Sequence, residues 1–249
     1  MPQPARTPKH ERIAEDLRAL IRSGTLVDGD QLPGENALME QYNVARMTAR
    51  QALAALQNEG LAVARKGVGV FVRTFRPVRR HGNRRLSREV WGAGHSMWDA
   101  DDSQAPTVDR LTVRTIPAPD HIARLLNTAP GAHVVARQRR YLVDGTPVQL
   151  ATAYIPAELA EGTRIEDEDT GPGGVYARLA ELGHPPVRFV EELRARMPTH
   201  TELEELELVA GTPVIQIART AFGDDGNPIE TSEMTLSSAA YALLYEFNA

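Results

Sequence analysis

The sequence predicts an α+β protein with two domains: a small helical domain that ends in a β-hairpin, and a larger domain built on an antiparallel sheet. Three observations predict this class. The chain has 249 residues, which is long for one domain and suits two. In the first third, apolar residues recur at helical spacing and then fall into two short β-rich runs around glycines. In the second half, a motif that contains an Asp-Gly turn occurs twice.

Three short helices and a hairpin are predicted in the first domain. Residues 9–23 carry an apolar stripe flanked by charged residues, which is typical of an amphipathic helix. A second helix follows Glu35, and a third covers residues 46–58. Two strands, 61–65 and 69–73, then surround a Lys-Gly-Val turn. This order of elements is that of a winged helix-turn-helix, with the third helix in the recognition position.

The third helix has two opposite faces. The buried face is marked by apolar residues at positions i, i+3, i+4 and i+7, namely Ala49, Ala52, Leu53 and Leu56. Arg46 and Arg50 are four residues apart and project side by side from the other face, where they could reach guanine edges or phosphates. Thr48 and the start of the helix are expected to hold phosphates, because helix N-termini attract anions. Lys66 and Gly67 are expected to form the tip of the wing.

The charge of the chain is divided between its two ends. Residues 1–90 carry 16 Lys and Arg against 9 Asp and Glu, a net charge of +7, whereas residues 91–249 carry 12 against 24, a net charge of −12. Such asymmetry is typical of a basic module for a polyanion joined to an acidic module. An isolated arginine pair could be no more than a solvated surface. Combined with the helix order, the wing and this charge, Arg46 and Arg50 are interpreted as DNA-binding residues.

The composition argues against several other classes of protein. No apolar run of about 18 residues occurs, which argues against a membrane span, and the first residues lack the apolar core of a signal peptide. The chain has no cysteine, which excludes disulfides and thiolate metal sites and fits a reducing cytoplasm. The 7 histidines are scattered without metal-ligand spacing, and no nucleophile or phosphate-loop motif is present. We therefore expect a cytoplasmic protein with no metal, no cofactor and no enzymatic activity.

Residues 76–106 are predicted to be a linker with a partly ordered lead-in to the second domain. The stretch begins with a basic run that is rich in arginine and interrupted by proline and glycine, and it ends in an acidic, polar run. This change of composition sets the expected boundaries: residues 1–75 form the first domain, and residues 107–249 form the second.

The second domain contains an internal repeat. The first copy contains Gly131, Arg139 and Asp144, and the second contains Gly211, Arg219 and Asp225. The offset is 80 residues at the first two positions and 81 at the turn. Each copy follows a helical segment, 119–127 or 199–208, so each unit is read as a helix followed by a β-hairpin. Two such units predict a pseudo-symmetric antiparallel sheet with helices on it; a further helix near 175–182 and a strand near 187–196 lie between them.

Residues 9–73 resemble the DNA-binding domain of the GntR family of bacterial transcription regulators. The motifs that carry this resemblance are Leu32-Pro33-x-Glu35, Val44-x-Arg46-x-Thr48-x-Arg50-x-Ala52-Leu53 and Gly67-x-Gly69-x-Phe71-Val72. The resemblance implies a winged helix-turn-helix that binds double-stranded DNA. It also adds Glu35 and Gly69 to the expected DNA-binding residues.

Residues 107–247 resemble the effector-binding UTRA domain of the HutC subfamily, which has a chorismate-lyase-like α+β fold. The features that carry this resemblance are the two Asp-Gly-x-Pro hairpins, Tyr154-Ile155-Pro156, Leu182-Gly183-His184 and Gly211-x-Pro213-Val214. The resemblance implies a homodimer on a short palindromic operator, commonly a repressor released by a small molecule. Effectors of such domains include sugar phosphates, urocanate and other small, often anionic metabolites.

Five residues are candidates for binding the effector. Arg137 and Arg139 share a face of the predicted strand, since alternate residues of a strand point the same way, and Arg219 is the repeat equivalent of Arg139. Converging arginines suit a phosphate or a carboxylate. By resemblance, Glu230 lies where related domains place a ligand-contacting acid. Tyr154 is the fifth candidate.

Several alternatives stay open at this point. Arginines on a strand of an acidic domain are often salt-bridge partners, and Tyr154 would equally suit the core with its hydroxyl in water. The chain could be an effector-independent DNA-binding protein whose second domain only dimerises, which a pocket lined by apolar residues alone would favour. It could also be a chorismate-lyase-like enzyme, which turnover of candidate metabolites would reveal.

Overall fold

The computed structural model describes residues 7–65, 67–73, 77–101, 105–209 and 211–247. The chain divides into two compact units, Met1–Arg76 and Pro77–Ala249, each with its own core. Among the described residues, no helix is both long enough and apolar enough to cross a membrane.

The first unit consists of three helices followed by a two-stranded hairpin. Its elements are α1 (Lys9–Arg22), α2 (Glu35–Tyr42), α3 (Arg46–Asn58), β1 (Ala62–Arg65) and β2 (Gly69–Val72). The strands are antiparallel, and their register runs from Ala62 opposite Val72 to Arg65 opposite Gly69. The predicted winged helix-turn-helix is confirmed.

The three helices pack through their apolar stripes. Ile13 and Leu17 on α1, Leu38 on α2, and Leu53 and Leu56 on α3 are all buried in one cluster. On each longer helix the buried positions recur every three or four residues, which is the spacing of one helix face. Burying a side chain of this size stabilises the fold by roughly 1.5–3 kcal/mol. Because this face of α3 is buried, its arginine face is turned outward.

The second unit is built on a six-stranded antiparallel sheet. Its elements are β3 (Val78–His81), α4 (Gly82–Arg85), α5 (Arg88–Trp91), a 3-10 turn (Met97–Ala100), β4 (Thr107–Pro117), α6 (Asp120–Leu125), β5 (His133–Val143), β6 (Thr146–Pro156), α7 (Ala157–Ala160), α8 (Gly174–Glu181), β7 (Arg188–Arg196), α9 (His200–Glu205), β8 (Val214–Phe222), β9 (Pro228–Ser237) and β10 (Tyr241–Leu244). The strand order is β4-β5-β6-β9-β8-β7. The predicted α+β class is confirmed.

The sheet has the internal symmetry that the repeat predicts. β4, α6, β5 and β6 form one copy, β7, α9, β8 and β9 form the other, and the two copies meet where β6 pairs with β9. The first hairpin turns at Asp144 and Gly145, whose φ angles of 49° and 75° are both left-handed, as a two-residue hairpin loop requires. Because the copies are equivalent, Arg139 on β5 and Arg219 on β8 occupy matching places in the sheet.

Residues 77–101, which we call the connecting segment, differ from the linker expected over 76–106. β3 pairs in parallel with β10, with Val78 opposite Tyr241. Trp91 is 1% exposed and packs in the main core of the second unit. The described part of the expected linker is therefore built into the second unit.

One buried ion pair joins the connecting segment to β7, and a second lies within the segment. Arg80 is fully buried, and its Nη2 donates to Oε1 of Glu191 at 2.6 Å. Arg85 is 3% exposed, with its Nε 3.7 Å from Oδ2 of Asp101. Glu191 is 111 residues from Arg80 along the chain. The basic composition predicted a linker, because the sequence does not show that a distant acid such as Glu191 pairs with Arg80.

Candidate DNA-binding surface and candidate effector cavity

The arginine face of α3 is open to solvent in the first unit. The side chains of Arg46 and Arg50 are 60% and 59% exposed. Ala49 and Leu53, on the other side of the helix, are buried. Two guanidiniums one turn apart on an exposed helix face can be presented together to the base edges of a major groove.

Glu35, at the start of α2, contacts this pair of arginines. Its two carboxylate oxygens accept from Nε and Nη2 of Arg50 at 2.8 and 3.3 Å, and the Nε of Arg46 lies 3.7 Å away. Nη2 of Arg46 also donates to Oδ1 of Asn36 at 3.1 Å. The hydrogen bond from Arg50 lowers the pKa of the Glu35 carboxyl. The contacts of Glu35 in the structure go to the two arginines, so Glu35 is placed to position them.

The start of α3 has no side-chain cap. Its N-cap residue is Ala45, and the N–H of Thr48 donates to the carbonyl oxygen of Ala45 at 2.9 Å. The side chain of Thr48 is half-buried. Anions are favoured at a helix N-terminus by the helix dipole and by unpaired N–H groups. The geometry is therefore compatible with the phosphate contact that the sequence predicts there.

The wing is a tight turn with an exposed backbone. Gly67 has a φ of 74° and Gly69 a φ of 146°, which are both values that favour glycine. Gln31, ahead of α2, braces the turn by donating from Nε2 to the carbonyl oxygen of Val68 at 3.0 Å. A side chain at Gly67 would meet no atom within 4 Å, so the tip is open. Lys66, the other predicted tip residue, lies outside the described residues.

The second unit contains a cavity of about 200 Å³ on one face of its sheet. The sheet side of the cavity comes from β5, β6, β8 and β9, and α8 and the connecting segment cover it. Its charged lining consists of Arg85, Arg137, Arg139, Arg219 and Glu230. Four guanidiniums thus face one carboxylate.

A larger and more open depression of about 320 Å³ lies mainly on the other side of the sheet. Its lining includes Arg110, Arg139 and Arg140. Arg140 is already neutralised, because its Nε donates to Oδ1 of Asp109 at 2.9 Å and its Nη2 donates to the second oxygen. The smaller cavity is more enclosed and is lined by four arginines, so it is the better candidate for a ligand site.

Arg137 has a structural role in this cavity. It is fully buried, and its terminal nitrogens donate to the carbonyl oxygens of Ile165 and Asp167, both at 2.5 Å, and of Glu168 at 2.9 Å. Burial lowers the pKa of Arg137 to about 10. The expected salt bridge is absent from these contacts. Arg137 instead fixes the loop that leads to α8, and few donors remain for a ligand.

Arg219 and Glu230 form the polar end of the cavity. Arg219 is 5% exposed, lies 5.6 Å from the centre of the Tyr176 ring, and has a buried Nε without a hydrogen bond. Glu230 is 2% exposed and accepts from the Tyr176 hydroxyl at 3.0 Å and from the hydroxyl of Ser232. Burial raises the pKa of the Glu230 carboxyl, against the opposing effect of Arg219. This end offers one guanidinium and one oriented carboxylate.

Arg139 completes the predicted arginine pair. It is half-buried in the cavity lining, and its side chain makes no hydrogen bond or ion pair within the described part of the chain. The pseudo-symmetry therefore brings Arg139 and Arg219 to one cavity, as the repeat predicted. Arg139 is the more available of the two for a ligand.

Tyr154 does not reach the cavity, and its assignment to the effector site is corrected. It is 8% exposed and packs with Ile122 and Ala136 in a separate cluster under α6. On β6 the cavity face carries Gln149, Ala151 and Ala153, so Tyr154 falls on the opposite face by strand alternation. It is the core residue that the alternative interpretation expected.

Several lining residues were missed by the sequence analysis. Gln149 is 3% exposed with an unpartnered buried Oε1, and it lies 81 residues before Glu230, so the repeat offset contained the signal that could have found it. Tyr176 was assigned only to a helix. Arg85 and Trp98 had no local signal, because they belong to the connecting segment that composition predicted to be a linker.

Comparison with known proteins gives a consistent result for both units. The profile of bacterial regulatory proteins of the gntR family matches residues 9–72, and the UTRA domain profile matches residues 102–242. The chain is 30% identical to the uncharacterized HTH-type transcriptional regulator SCO4628 of Streptomyces coelicolor, over 97% of this chain and 93% of that protein. It is 25% identical to the HTH-type transcriptional repressor NagR of Bacillus subtilis, over 96% and 94% of the two chains.

A solved crystal structure supports the same assignment. The structure of a protein assigned to the GntR family of transcriptional regulators is similar with a TM-score of 0.67 and 28% identity, over 98% of both chains. All of these relatives are regulators of transcription and none is an enzyme. The chain therefore belongs to the GntR family of DNA-binding transcriptional regulators, with a winged helix-turn-helix followed by a UTRA effector domain.

Proposed function

We propose that the chain is a cytoplasmic repressor of the HutC subfamily, which binds a palindromic operator as a homodimer and is released when a small anionic metabolite enters the cavity of the second unit. The observation that carries the proposal is the charge of that cavity, where four guanidiniums face one carboxylate. The relative NagR of Bacillus subtilis is a transcriptional repressor, which supports repression as the mode of regulation. The lack of cysteine supports action in a reducing compartment.

On the DNA side, Arg46 and Arg50 bind base edges in the major groove while the Gly67 wing lies along the backbone. A bidentate contact from one arginine to guanine contributes about 1–3 kcal/mol of discrimination. Glu35 holds the guanidinium of Arg50 through two hydrogen bonds, which reduces the side-chain entropy lost on binding. Two copies of the unit would read two half-sites, and a palindrome follows from the two-fold symmetry of a dimer.

On the effector side, the ligand supplies the negative charge that the cavity lacks. A guanidinium held away from water without an anion is unfavourable, and a phosphate or carboxylate that pairs with it removes that penalty. Arg139 and Arg219 offer donors, while Glu230 and Gln149 offer acceptors for hydroxyl or amino groups. A volume of about 200 Å³ suits a small metabolite. The lining includes four arginines and a glutamate, so the cavity is not the purely apolar pocket that would favour the effector-independent alternative.

One binding experiment tests both halves of this proposal. The full chain is first used to select duplexes from a pool of random sequence. Its affinity for the selected duplexes is then measured by fluorescence anisotropy, without and with small phosphate esters and dicarboxylates. We expect an inverted repeat in the selected DNA. Arg50→Ala should weaken binding roughly tenfold or more at every salt concentration, whereas Arg12→Ala, an exposed arginine on α1, should change it little. Arg139→Gln should abolish release by the anion, whereas Arg114→Gln, exposed on β4, should not.

Two outcomes would contradict the proposal. If Arg50→Ala binds the selected duplex as tightly as the unmodified chain, the α3 face is not the reading surface. If no anion releases the DNA, or if Arg139→Gln responds like the unmodified chain, the cavity is not the effector site.

A further inference from the structure

Part of the cavity lies outside both family matches. The gntR profile ends at residue 72 and the UTRA profile begins at residue 102. The connecting segment falls between them, yet it contributes Arg85 and the Ser96–Trp98 edge to the cavity lining. Neither the family assignment nor the repeat gives these residues a role.

Arg85 is held by one side of its guanidinium and left open on the other. Its Cζ lies 4.0 Å from the centre of the Trp98 ring, and its Nε donates to the carbonyl oxygen of Met97 at 3.3 Å. Trp98 in turn packs against Tyr141 on β5, with ring centres 5.0 Å apart. The terminal nitrogens of Arg85 make no hydrogen bond to any described residue. Unused guanidinium donors at the wall of a cavity suit an anion site.

The neighbours of Arg85 do not neutralise it completely. Its one acidic partner among the described residues, Asp101, is 3.7 Å from Nε, beyond hydrogen-bond range, and Oδ1 of Asp101 already accepts from the N–H of His81 at 3.1 Å. Burial lowers the pKa of Arg85 to about 10, and the positive charges of Arg80 and Arg219 add to that effect. The guanidinium remains charged at neutral pH and is crowded by other cations. An anion in the cavity would relieve this repulsion.

We propose that Arg85 is an effector-binding residue that, together with Arg139 and Arg219, binds the acidic group of the ligand, and that this contact fixes the connecting segment against the sheet. The proposal rests on the anionic effector proposed above. The segment follows the DNA-binding unit directly in the chain, so a ligand that stabilises its packing on the sheet acts next to the chain boundary between the two units. A ligand shifts an equilibrium only through contacts that differ between the states, and Arg85 supplies such a contact.

The test measures anion binding and backbone protection on the full chain. Inorganic phosphate and succinate are the probes, titrated by calorimetry into the unmodified chain, Arg139→Gln, Arg85→Gln and the control Arg84→Gln. Arg84 precedes Arg85 on the same one-turn helix and is exposed. We expect Arg139→Gln and Arg85→Gln each to weaken binding of at least one probe about tenfold, since each removes a charge-assisted contact. Arg84→Gln should match the unmodified chain.

Hydrogen exchange on the unmodified chain gives a second readout. At saturating probe, amides of residues 82–101 should exchange severalfold more slowly than without it. This measurement also decides the matter if Arg85→Gln fails to fold, because it needs no substitution at Arg85.

The outcomes separate this inference from the proposed function. If Arg139→Gln weakens binding while Arg85→Gln binds normally, or if saturating probe leaves exchange over 82–101 unchanged, the role of Arg85 is wrong and the anionic effector stands. If neither probe shows binding that Arg139→Gln removes, the anionic effector itself is wrong, and the role of Arg85 falls with it.

Discussion

At the DNA-binding face, Glu35 engages Arg50 through two hydrogen bonds and lies 3.7 Å from the Nε of Arg46. The motif that contains Glu35 indicated a DNA-binding residue, and the structure shows where its contacts go. A negative charge beside Arg46 and Arg50 would weaken the attraction of this surface to every duplex equally. Its compensating effect is to hold the guanidinium plane of Arg50 in one orientation, which favours the duplex that matches that orientation.

Glu35→Ala should therefore reduce specificity. Freeing one long side chain has an entropic effect of about 0.5–1.5 kcal/mol on binding, so affinity for the selected duplex should fall roughly two- to tenfold. Affinity for an unrelated duplex should rise, because one negative charge is lost from the surface that meets phosphates. Anisotropy titrations with both duplexes measure the ratio of the two affinities. Glu40→Ala, exposed on the same helix, is the control. An equal increase in affinity for both duplexes would show that Glu35 has no positioning role.

The cavity shows how neighbouring residues of one strand acquire different roles. Strand alternation correctly placed Arg137 and Arg139 on one face. Their roles differ because a loop from 161–170 lies over Arg137 and supplies it with three carbonyl oxygens. No local pattern in the sequence indicates where that loop folds, so the division between a structural and an available arginine could not be predicted.

Among the elements, α9 illustrates how a short helix is stabilised by its ends. It has six residues, too few to be stable alone. Thr199 and Glu202 form a reciprocal capping box, and both oxygens of Glu202 also accept from Arg196 on β7 at 2.6 Å. The Thr235 hydroxyl on β9 donates to the same carboxylate at 3.1 Å. One carboxylate thus joins α9 to two strands of its repeat copy.

Glu202→Gln should lower stability in a pH-dependent way. The hydrogen bonds from Arg196 lower the pKa of Glu202 from 4.5 to about 2. A depressed carboxyl pKa contributes stability above pH 4.5, and that contribution is lost as the pH falls towards 2. The variant should be less stable by about 1 kcal/mol at pH 7, a value reduced by partial solvent exposure, and the difference should shrink towards pH 2. Glutamine can keep the capping box, so the change removes the charge and one of the two oxygens that accept from Arg196.

Urea unfolding followed by tryptophan fluorescence measures this difference. Both tryptophans of the chain, Trp91 and Trp98, lie in the second unit, so the signal reports that unit. Glu204→Gln is the control, since its carboxylate pairs only with the exposed His200 among the described residues. A stability difference that stays constant from pH 7 to pH 3 would contradict the role of the Glu202 charge.

For the whole molecule, the main difference between the structure and the sequence prediction is the residue at which the second unit begins. Composition placed the start of the second domain at residue 107. In the structure the second unit starts at Pro77. β3 pairs with β10, and Trp91 packs in the core against Tyr176, with ring centres 6.3 Å apart. The connecting segment also closes the cavity. A domain cut at the predicted boundary would lose all three features.

Two truncated fragments should show which of the two domain boundaries is correct. A fragment of residues 77–249 should fold and melt cooperatively, whereas a fragment of residues 107–249 should be strongly destabilised. Loss of a buried tryptophan alone costs about 3–5 kcal/mol, and β10 would lose its partner strand. Circular dichroism melts of the two fragments make the comparison. Similar midpoints for both would show that the connecting segment adds no stability and would support the shorter domain.

The sequence by itself determined the features that follow from local periodicity and spacing. These are the three helices and the wing, the outward face of Arg46 and Arg50, and the repeat that makes Arg139 and Arg219 equivalent. Tertiary structure alone decided the features that depend on distant partners: the burial of Arg80 against Glu191, the core position of Tyr154, and the entry of Arg85 into the cavity. The physical reason is that side-chain direction along a helix or strand is set by the residues themselves. The partner that neutralises or covers a side chain is set by where remote parts of the chain fold.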